Sequence, residues 1–372
     1  MAWVPALGGW LVTGYAAAMA VMRDYRTFTV DDPRFSTARV VGPSMLSLDG
    51  PAHARHRAPF ASAFHHGDGG PKLAAFAEAE ATRLVTAIRD RGAAEIRSAV
   101  SGPLAVAVVA EALGLGGVAP EVILGWYTGI VGGVTGLSAD QNAAAGAPAD
   151  PEAAAAFAAL AASLRAVIKA VPGGEPGRSA HSSLLAQAAG GGQLSTEEVI
   201  SDAAVIMFGG IDTTDGMTAN AVLHLFSAPG QLELVRVDPN LVPAAIEESL
   251  RLEPAAALVD RYATRDAQLG EAAIRAGDRV TVSLAGANRD PAVFPQPDRY
   301  DIFRAEAGRH LAFAHGPHFC IGAALARAEI TAAVRALLKQ LPGLRLAPDR
   351  EAPAPRGLVF RKPPALPVIW DA

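Results

Sequence analysis

Cys320 is the only cysteine in a chain of 372 residues. It stands in the run Phe313-Ala314-His315-Gly316-Pro317-His318-Phe319-Cys320-Ile321-Gly322, directly ahead of an amphipathic stretch from Ala323 to Leu341. A thiol at the start of a helix meets the positive end of the dipole and free backbone N–H groups, which favour the thiolate, the form that binds metal. Gly316 and Gly322 permit tight turns and the close approach of a flat ligand. Phe313 can shield the sulfur from water, and His318 offers a donor two residues away. A lone cysteine is more often a small buried hydrophobe, so it is the loop around Cys320 that argues for a function.

Three other clusters carry reactive or charged groups at regular spacing. Phe208-Gly209-Gly210-Ile211-Asp212-Thr213-Thr214 lies midway along a helical pattern over 195–228. Two adjacent glycines inside a helix cost roughly 1 kcal/mol each relative to alanine, so something needs the space, close helix packing being the plain alternative. Glu248-Ser249-Leu250-Arg251 puts an acid and a base at i and i+3 on one helix face, ordinarily a solvated pair. His53-Ala54-Arg55-His56-Arg57, preceded by Asp49-Gly50-Pro51, sets His53 and Arg57 one helical turn apart.

Phe313, Gly316, Cys320 and Gly322 follow the order Phe, two residues, Gly, three residues, Cys, one residue, Gly. This resembles the haem-ligand loop of the cytochrome P450 family, with Ala314 where a second glycine is common. The resemblance runs from about Trp10 to the end of the chain. It implies a mainly α fold with minor β, in which a long central helix lies over haem b, and Cys320 as the thiolate that favours O–O cleavage.

The family resemblance assigns the other clusters as well. Glu248 and Arg251 would pair with Arg299 of Pro297-Asp298-Arg299-Tyr300 in a buried cluster that fixes the haem-side core; Glu247 is a competing partner at i, i+4, and the family spacing selects Glu248. Gly209 and Gly210 would form a kinked groove for dioxygen, with Asp212 and Thr213 relaying protons, since cleavage of the O–O bond requires protons at its distal oxygen. His53 and Arg57 would bind one haem carboxylate, and Arg261 with His318 the other. Substrate would touch Val40 and Met45 in the loop 37–48, Val205 and Phe208 on the long helix, Ala257 and Leu258, and Val359 in the tail.

A monooxygenase is implied, inserting one atom of O2 into a hydrophobic or amphipathic small molecule of terpenoid, steroid or secondary-metabolite type. Electrons would come from a ferredoxin and a ferredoxin reductase, docking near Arg55, His56, Arg309, His315 and Arg327. The same motifs serve oxidative coupling or desaturation. An inactive haem-binding or scaffold protein is the alternative from another class.

The elements that must position these groups are mostly helical. Periodicity predicts helices near 52–65, 72–91, 101–113, 120–137, 151–170, 195–228, 242–252 and 320–341. Strand patterns are short, at 259–262, 279–284 and in the tail 357–369, and 285–320 reads as an ordered loop. The Gly/Ala/Pro stretches at 138–150 and 172–180 read as surface connections, so residues 1–372 are expected to form a single domain. Against the family pattern, the first helix and strand ahead of Trp10 are missing, and the helix between Ser36 and Asp49 is expected to shrink to a loop.

Composition narrows the setting. With 51% hydrophobic residues and a formal charge of −5 the chain has ample core and lacks the basic excess of a nucleic-acid binder. One cysteine allows no internal disulfide and no cysteine-ligated iron–sulfur cluster, which fits a reducing cytoplasm. No charge precedes Arg23, but Pro5, Gly8-Gly9, Thr13 and Gly14 interrupt the apolar run. It reads as a strand, Trp10 to Thr13, and a helix, Ala16 to Asp24, and not as a membrane anchor. A soluble monomer is expected.

Overall fold

A computed structural model describes residues 1–65, 69–139, 150–170, 183–348 and 353–371. Among them the principal helices are α1 (Tyr15–Arg23), α2 (Ser36–Val41), α3 (Gly50–His65), α4 (Gly69–Ile88), α5 (Gly102–Leu113), α6 (Pro120–Ala139), α7 (Pro151–Ala170), α8 (Leu184–Gly190), α9 (Thr196–Gly210), α10 (Asp212–Ser227), α11 (Pro229–Val237), α12 (Val242–Leu252) and α13 (Ala323–Gln340). The mainly α architecture matches expectation, as do most helix positions. The helix predicted over 195–228 is instead two helices, α9 and α10, divided at Ile211. The loop expected after Ser36 contains the short α2. Residues 140–149 and 172–180, read as surface connections, lie outside the described residues.

The chain forms two compact units. One comprises Met1–Thr27, Ala74–Ala105 and Asp212–Ala372, the other Phe28–Leu73 and Val106–Ile211. In the first, strands β1 (Ala2–Val4), β2 (Gly9–Val12), β3 (Leu258–Ala263) and β4 (Arg279–Ser283) join in the order β1-β2-β4-β3. β2 runs parallel to β4 with Gly9 opposite Arg279, and β3 runs antiparallel to β4 with Arg261 opposite Val280. Gly9 is required by this pairing, because a Cβ there would lie 2.6 Å from the Arg279 carbonyl oxygen. Val280, Thr281 and Val282 of β4 are all buried, so both faces of this central strand are covered. Helices α10, α12 and α13 pack together in the same unit.

In the second unit α6 and α7 are close neighbours. A Cβ added at Gly129 would meet the Ala156 methyl at 2.6 Å, and one at Gly133 would collide with Ala153, so glycines one turn apart let the two backbones approach. The N-terminus of α9 is a complete capping box. Ser195 Oγ accepts from Glu198 N at 3.3 Å while Glu198 accepts from Ser195 N at 2.8 Å. Among the described residues α7 alone is long and apolar enough to cross a membrane, and 22% of that span is buried.

Candidate active site

The cysteine loop is closed on itself by backbone bonds. Cys320 N–H donates to Phe313 O at 2.9 Å and Phe319 N–H to Gly316 O at 3.0 Å. Gly316 has φ +75°, and a Cβ there would lie 2.7 Å from Met22 O, so this glycine serves both a left-handed turn and a close backbone approach. Ala314 also has a left-handed φ, 59°. Helix α13 starts at Ala323 with Gly322 as its N-cap, which leaves Cys320 two residues ahead of the cap with its own amide bonded within the loop. The helix dipole therefore acts on the thiol less directly than the sequence pattern implied.

Phe313 is held in place by a clamp that sequence reasoning missed. The Arg327 guanidinium lies 4.5 Å from its ring centroid, and the His310 ring lies 5.7 Å away. Arg327 is in turn bidentate to Glu247 at 2.5 and 3.1 Å, and His310 Nε2 lies 3.3 Å from the same carboxylate. Burial opposes the charge on Glu247, but the neighbouring His310 and Arg327 outweigh it and bring the carboxyl down to about 2. Arg327 is thus already paired, with its side chain 36% exposed.

Glu248 and Arg251 form the buried pair that their spacing selected, with bonds of 2.7 and 2.8 Å and both side chains fully buried. The third member is Arg304, whose Nε donates to Glu248 at 3.0 and 3.2 Å. Arg299, expected in that place, is exposed, and its guanidinium reaches Gln296 at 3.4 Å. The reason lies in the turn that precedes it. Gln296 adopts φ 49°, and the carbonyls of Pro295, Gln296, Pro297 and Arg299 accept from the Arg251 and Arg304 guanidinium groups. Arg299 thus contributes its backbone to the cluster.

The two central glycines have different tasks. A Cβ at Gly210 would lie 2.8 Å from Val109, which makes this residue a packing requirement, whereas at Gly209 nothing lies within 4 Å. Open space is confined to Gly209. At Ile211 the chain bends, and Asp212 opens α10 with Thr213 beside it in the first turn. Asp212 Oδ1 is paired with Lys362, a residue that drew no attention in the sequence.

Arg261 is the fourth residue of β3, 4% exposed, and its Nη1 donates to the Asp260 carbonyl at 2.7 Å. His318 ends a 3₁₀ turn in the cysteine loop. Ala257 and Val359 are joined through the backbone, Ala257 N–H donating to Val359 O at 2.8 Å. Leu258 follows at the start of β3.

In the other unit His53 is buried on the first turn of α3 and Arg57, one turn on, is half-buried. Val40, Met45 and Val205 are buried, and Phe208 half-buried. Met45 N–H donates to Asp202 Oδ1 at 2.6 Å, and His56 Nδ1 lies 2.9 Å from Asp202 Oδ2. Burial pushes the Asp202 carboxyl up to about 8. His56 is 2% exposed and engaged here, so it is no docking residue. The neighbouring Arg55 is bidentate to Glu198 at 2.5 and 3.2 Å, which holds that carboxyl down to about 2.

These residues suit a haem. The cysteine is fixed in a braced loop, a Cβ at Gly322 would meet nothing within 4 Å, and Arg261 is a buried cation in the same unit. The family model described as Cytochrome P450 matches residues 235–364. Nocardicin C N-oxygenase of Nocardia uniformis subsp. tsuyamanensis is 32% identical over 97% of this chain and 89% of its own length. The cytochrome P450 monooxygenase PikC of Streptomyces venezuelae is 33% identical over 97% and 85%. The crystal structure of CalO2 superposes with a TM-score of 0.85 at 30% identity, covering 98% of this chain and 91% of CalO2. The chain belongs to the cytochrome P450 family, a monooxygenase that binds haem through a cysteine thiolate, and Cys320 is its only cysteine.

Proposed function

We propose that the enzyme inserts one oxygen atom of O2 into a hydrophobic or amphipathic small organic molecule, with Asp212 and Thr213 carrying protons to the reaction. The supporting observation is the break at Ile211, which places an acid and a hydroxyl in the first turn of a new helix directly after the open space at Gly209. When bound, haem supplies the electron and dioxygen chemistry. Asp212 takes a proton from solvent and gives it to Thr213 Oγ1, whose own hydroxyl proton moves on. Phe313, clamped by Arg327 and His310, shields the Cys320 sulfur from water. His53 and Arg57 hold one carboxylate of the cofactor, Arg261 and His318 the other.

Val40, Met45, Val205, Phe208, Ala257, Leu258 and Val359 are the apolar residues assigned to substrate. The names of the relatives point to natural products, and a secondary metabolite, terpenoid or steroid-like molecule fits such a lining. A chain with one cysteine holds no cysteine-ligated cluster of its own, so electrons come from a ferredoxin and its reductase. The enzyme works as a monomer in the cytoplasm.

Two measurements test this reading. The reduced, carbon monoxide-bound protein should show the thiolate type of Soret band, and Cys320→His should lose it. Turnover under isotopic dioxygen should label the product; an unlabelled product refutes insertion and indicates coupling or desaturation.

A further inference from the structure

Asp212, Asp215 and Gly216 stand at i, i+3 and i+4 on one face of α10, and Asn220 continues it one turn on. The side chain of Lys362 lies along that face. A Cβ added at Gly216 would meet Lys362 Cδ at 2.9 Å, Lys362 Cβ at 3.1 Å and Ala255 Cβ at 3.4 Å. Gly216 therefore opens the groove in which the lysine stem runs, and this gives a reason for a glycine inside a helix, where alanine is otherwise favoured. The ammonium is paired with Asp212 Oδ1 and lies 3.4 Å from Asp215 Oδ2.

The two carboxylates differ in how firmly they are held. Asp215 accepts from Arg97 at 2.6 and 3.1 Å and from Ser101 Oγ at 2.6 Å, a fixed and nearly buried group. The Asp212 carboxylate is paired with Lys362, and Arg97 acts on it by charge at longer range. Lys362 itself is anchored through its backbone, exchanging bonds with Arg356 at 2.9 and 3.2 Å. The preceding Arg361 is tied to Asn220 through its carbonyl, 3.0 Å, and to Glu253 through its guanidinium, 2.6 Å. The same tail turn carries Val359, assigned above to substrate.

We propose that Lys362 is a positioning residue for the proton relay, a latch that holds the Asp212 carboxylate over Gly216 and passes to Asp215 when Asp212 turns toward Thr213. Thr213 is one residue on, roughly 100° around the helix axis, so a carboxylate held over Gly216 must leave the lysine to serve the hydroxyl. Asp215 makes that release feasible. The ammonium exchanges one carboxylate for another and is never left unpaired in a partly buried place. The proposal rests on the reading of Asp212 as the relay acid.

The test uses the haem-loaded full chain and begins with no substitution. The chain has four lysines, Lys72, Lys169, Lys339 and Lys362. Under reductive methylation with isotopic formaldehyde, Lys362 should react roughly fivefold more slowly than the other three, in keeping with a paired ammonium. Asp212→Asn should raise its rate toward theirs. Equal rates for all four in the wild type overturn the latch whatever the activity. Lys362→Met should release several-fold more peroxide per electron pair consumed, with the carbon monoxide spectrum unchanged, and Lys362→Arg should restore the wild-type ratio. A Lys362→Met enzyme with wild-type peroxide release also overturns it. If instead Asp212→Asn leaves peroxide release unchanged while the labelling contrast holds, the relay reading fails and the ion pair stands.

Discussion

Arg304 Nε lies 3.0 Å from Glu248 Oε1 and 3.2 Å from Oε2, so the buried carboxylate is shared between this arginine and Arg251, one helical turn away. Both guanidinium groups also donate to carbonyls of the turn 295–299, and Arg251 to the Asn288 carbonyl as well. Removing one partner from a buried, hydrogen-bonded charge cluster costs about 3–5 kcal/mol, because the other charges stay buried. Arg304→Ala should therefore lose most of its urea resistance and its haem. Arg299→Ala, which removes an exposed side chain and keeps the carbonyl, should shift stability by no more than about 0.5 kcal/mol. Urea titration of both variants, followed by the Soret band, separates the two arginines.

The confusion between Arg299 and Arg304 shows where sequence reasoning stops. Helix periodicity put both Glu247 and Glu248 within reach of Arg251, and the family spacing singled out Glu248. No period governs 295–304, and the left-handed Gln296 that turns Arg299 outward has no marker in its residue type. The family resemblance implied a kink at Gly209-Gly210, but not that the long helix would divide into two at Ile211. Of the glycine pair, Gly210 answers to Val109, a neighbour set by tertiary packing. Two signals could have been used. Asp202 is a lone acid inside the apolar run Val199 to Met207, and Lys362 is one of few lysines, placed beside the tail turn. Both are chemically conspicuous, but their partners come from distant parts of the chain.

Ala314 holds a left-handed φ of 59° in the cysteine loop. For an L-residue with a Cβ this conformation costs roughly 1–2 kcal/mol, part of which glycine returns through the greater freedom of its unfolded chain. Ala314→Gly should stabilise the protein by about 0.5–1 kcal/mol. The urea midpoint should rise with an unchanged slope and an unchanged carbon monoxide spectrum. A lower midpoint would show that the Ala314 methyl makes contacts worth more than the strain.

Asp202 joins α9 to α3 through His56 and to the loop before α3 through the Met45 amide. Asp202→Ala leaves a buried imidazole nitrogen and a buried N–H without partners, each costing about 1–3 kcal/mol. With its carboxyl pushed up to about 8, Asp202 is largely protonated at neutral pH, and Asp202→Asn presents a similar neutral acceptor. The asparagine variant should stay within about 1 kcal/mol of wild type at pH 7, and the alanine variant should lose about 2–4 kcal/mol. Similar losses in both would mean that the pair requires the carboxylate charge.

Glu329 gives the pH dependence of stability a sign. It is buried on α13, Oε1 has no hydrogen-bond partner among the described residues, and burial pushes its carboxyl from 4.5 up to about 8. Below pH 4.5 the group is protonated whether the chain is folded or unfolded. As pH rises toward 8 the unfolded chain releases the proton and the folded one keeps it, so stability falls by up to about 1.4 kcal/mol per pH unit. His224 acts with the opposite sign at lower pH. Burial, then the Arg289 and Arg251 charges, lower it from 6.5 to about 3, so folding excludes a proton that the unfolded chain binds below pH 6.5. The two effects oppose one another between pH 4.5 and 6.5, and the decline stands clear from 6.5 to 8, where Asp202 adds a slope of the same sign. Glu329→Gln keeps the shape and removes the titration. Its unfolding free energy, measured by urea at half-unit steps of pH, should fall less steeply than wild type by about 1.4 kcal/mol per unit. Combining it with Asp202→Asn should leave the curve nearly level. A wild-type slope retained in the double variant would place the proton uptake on groups other than these two carboxyls.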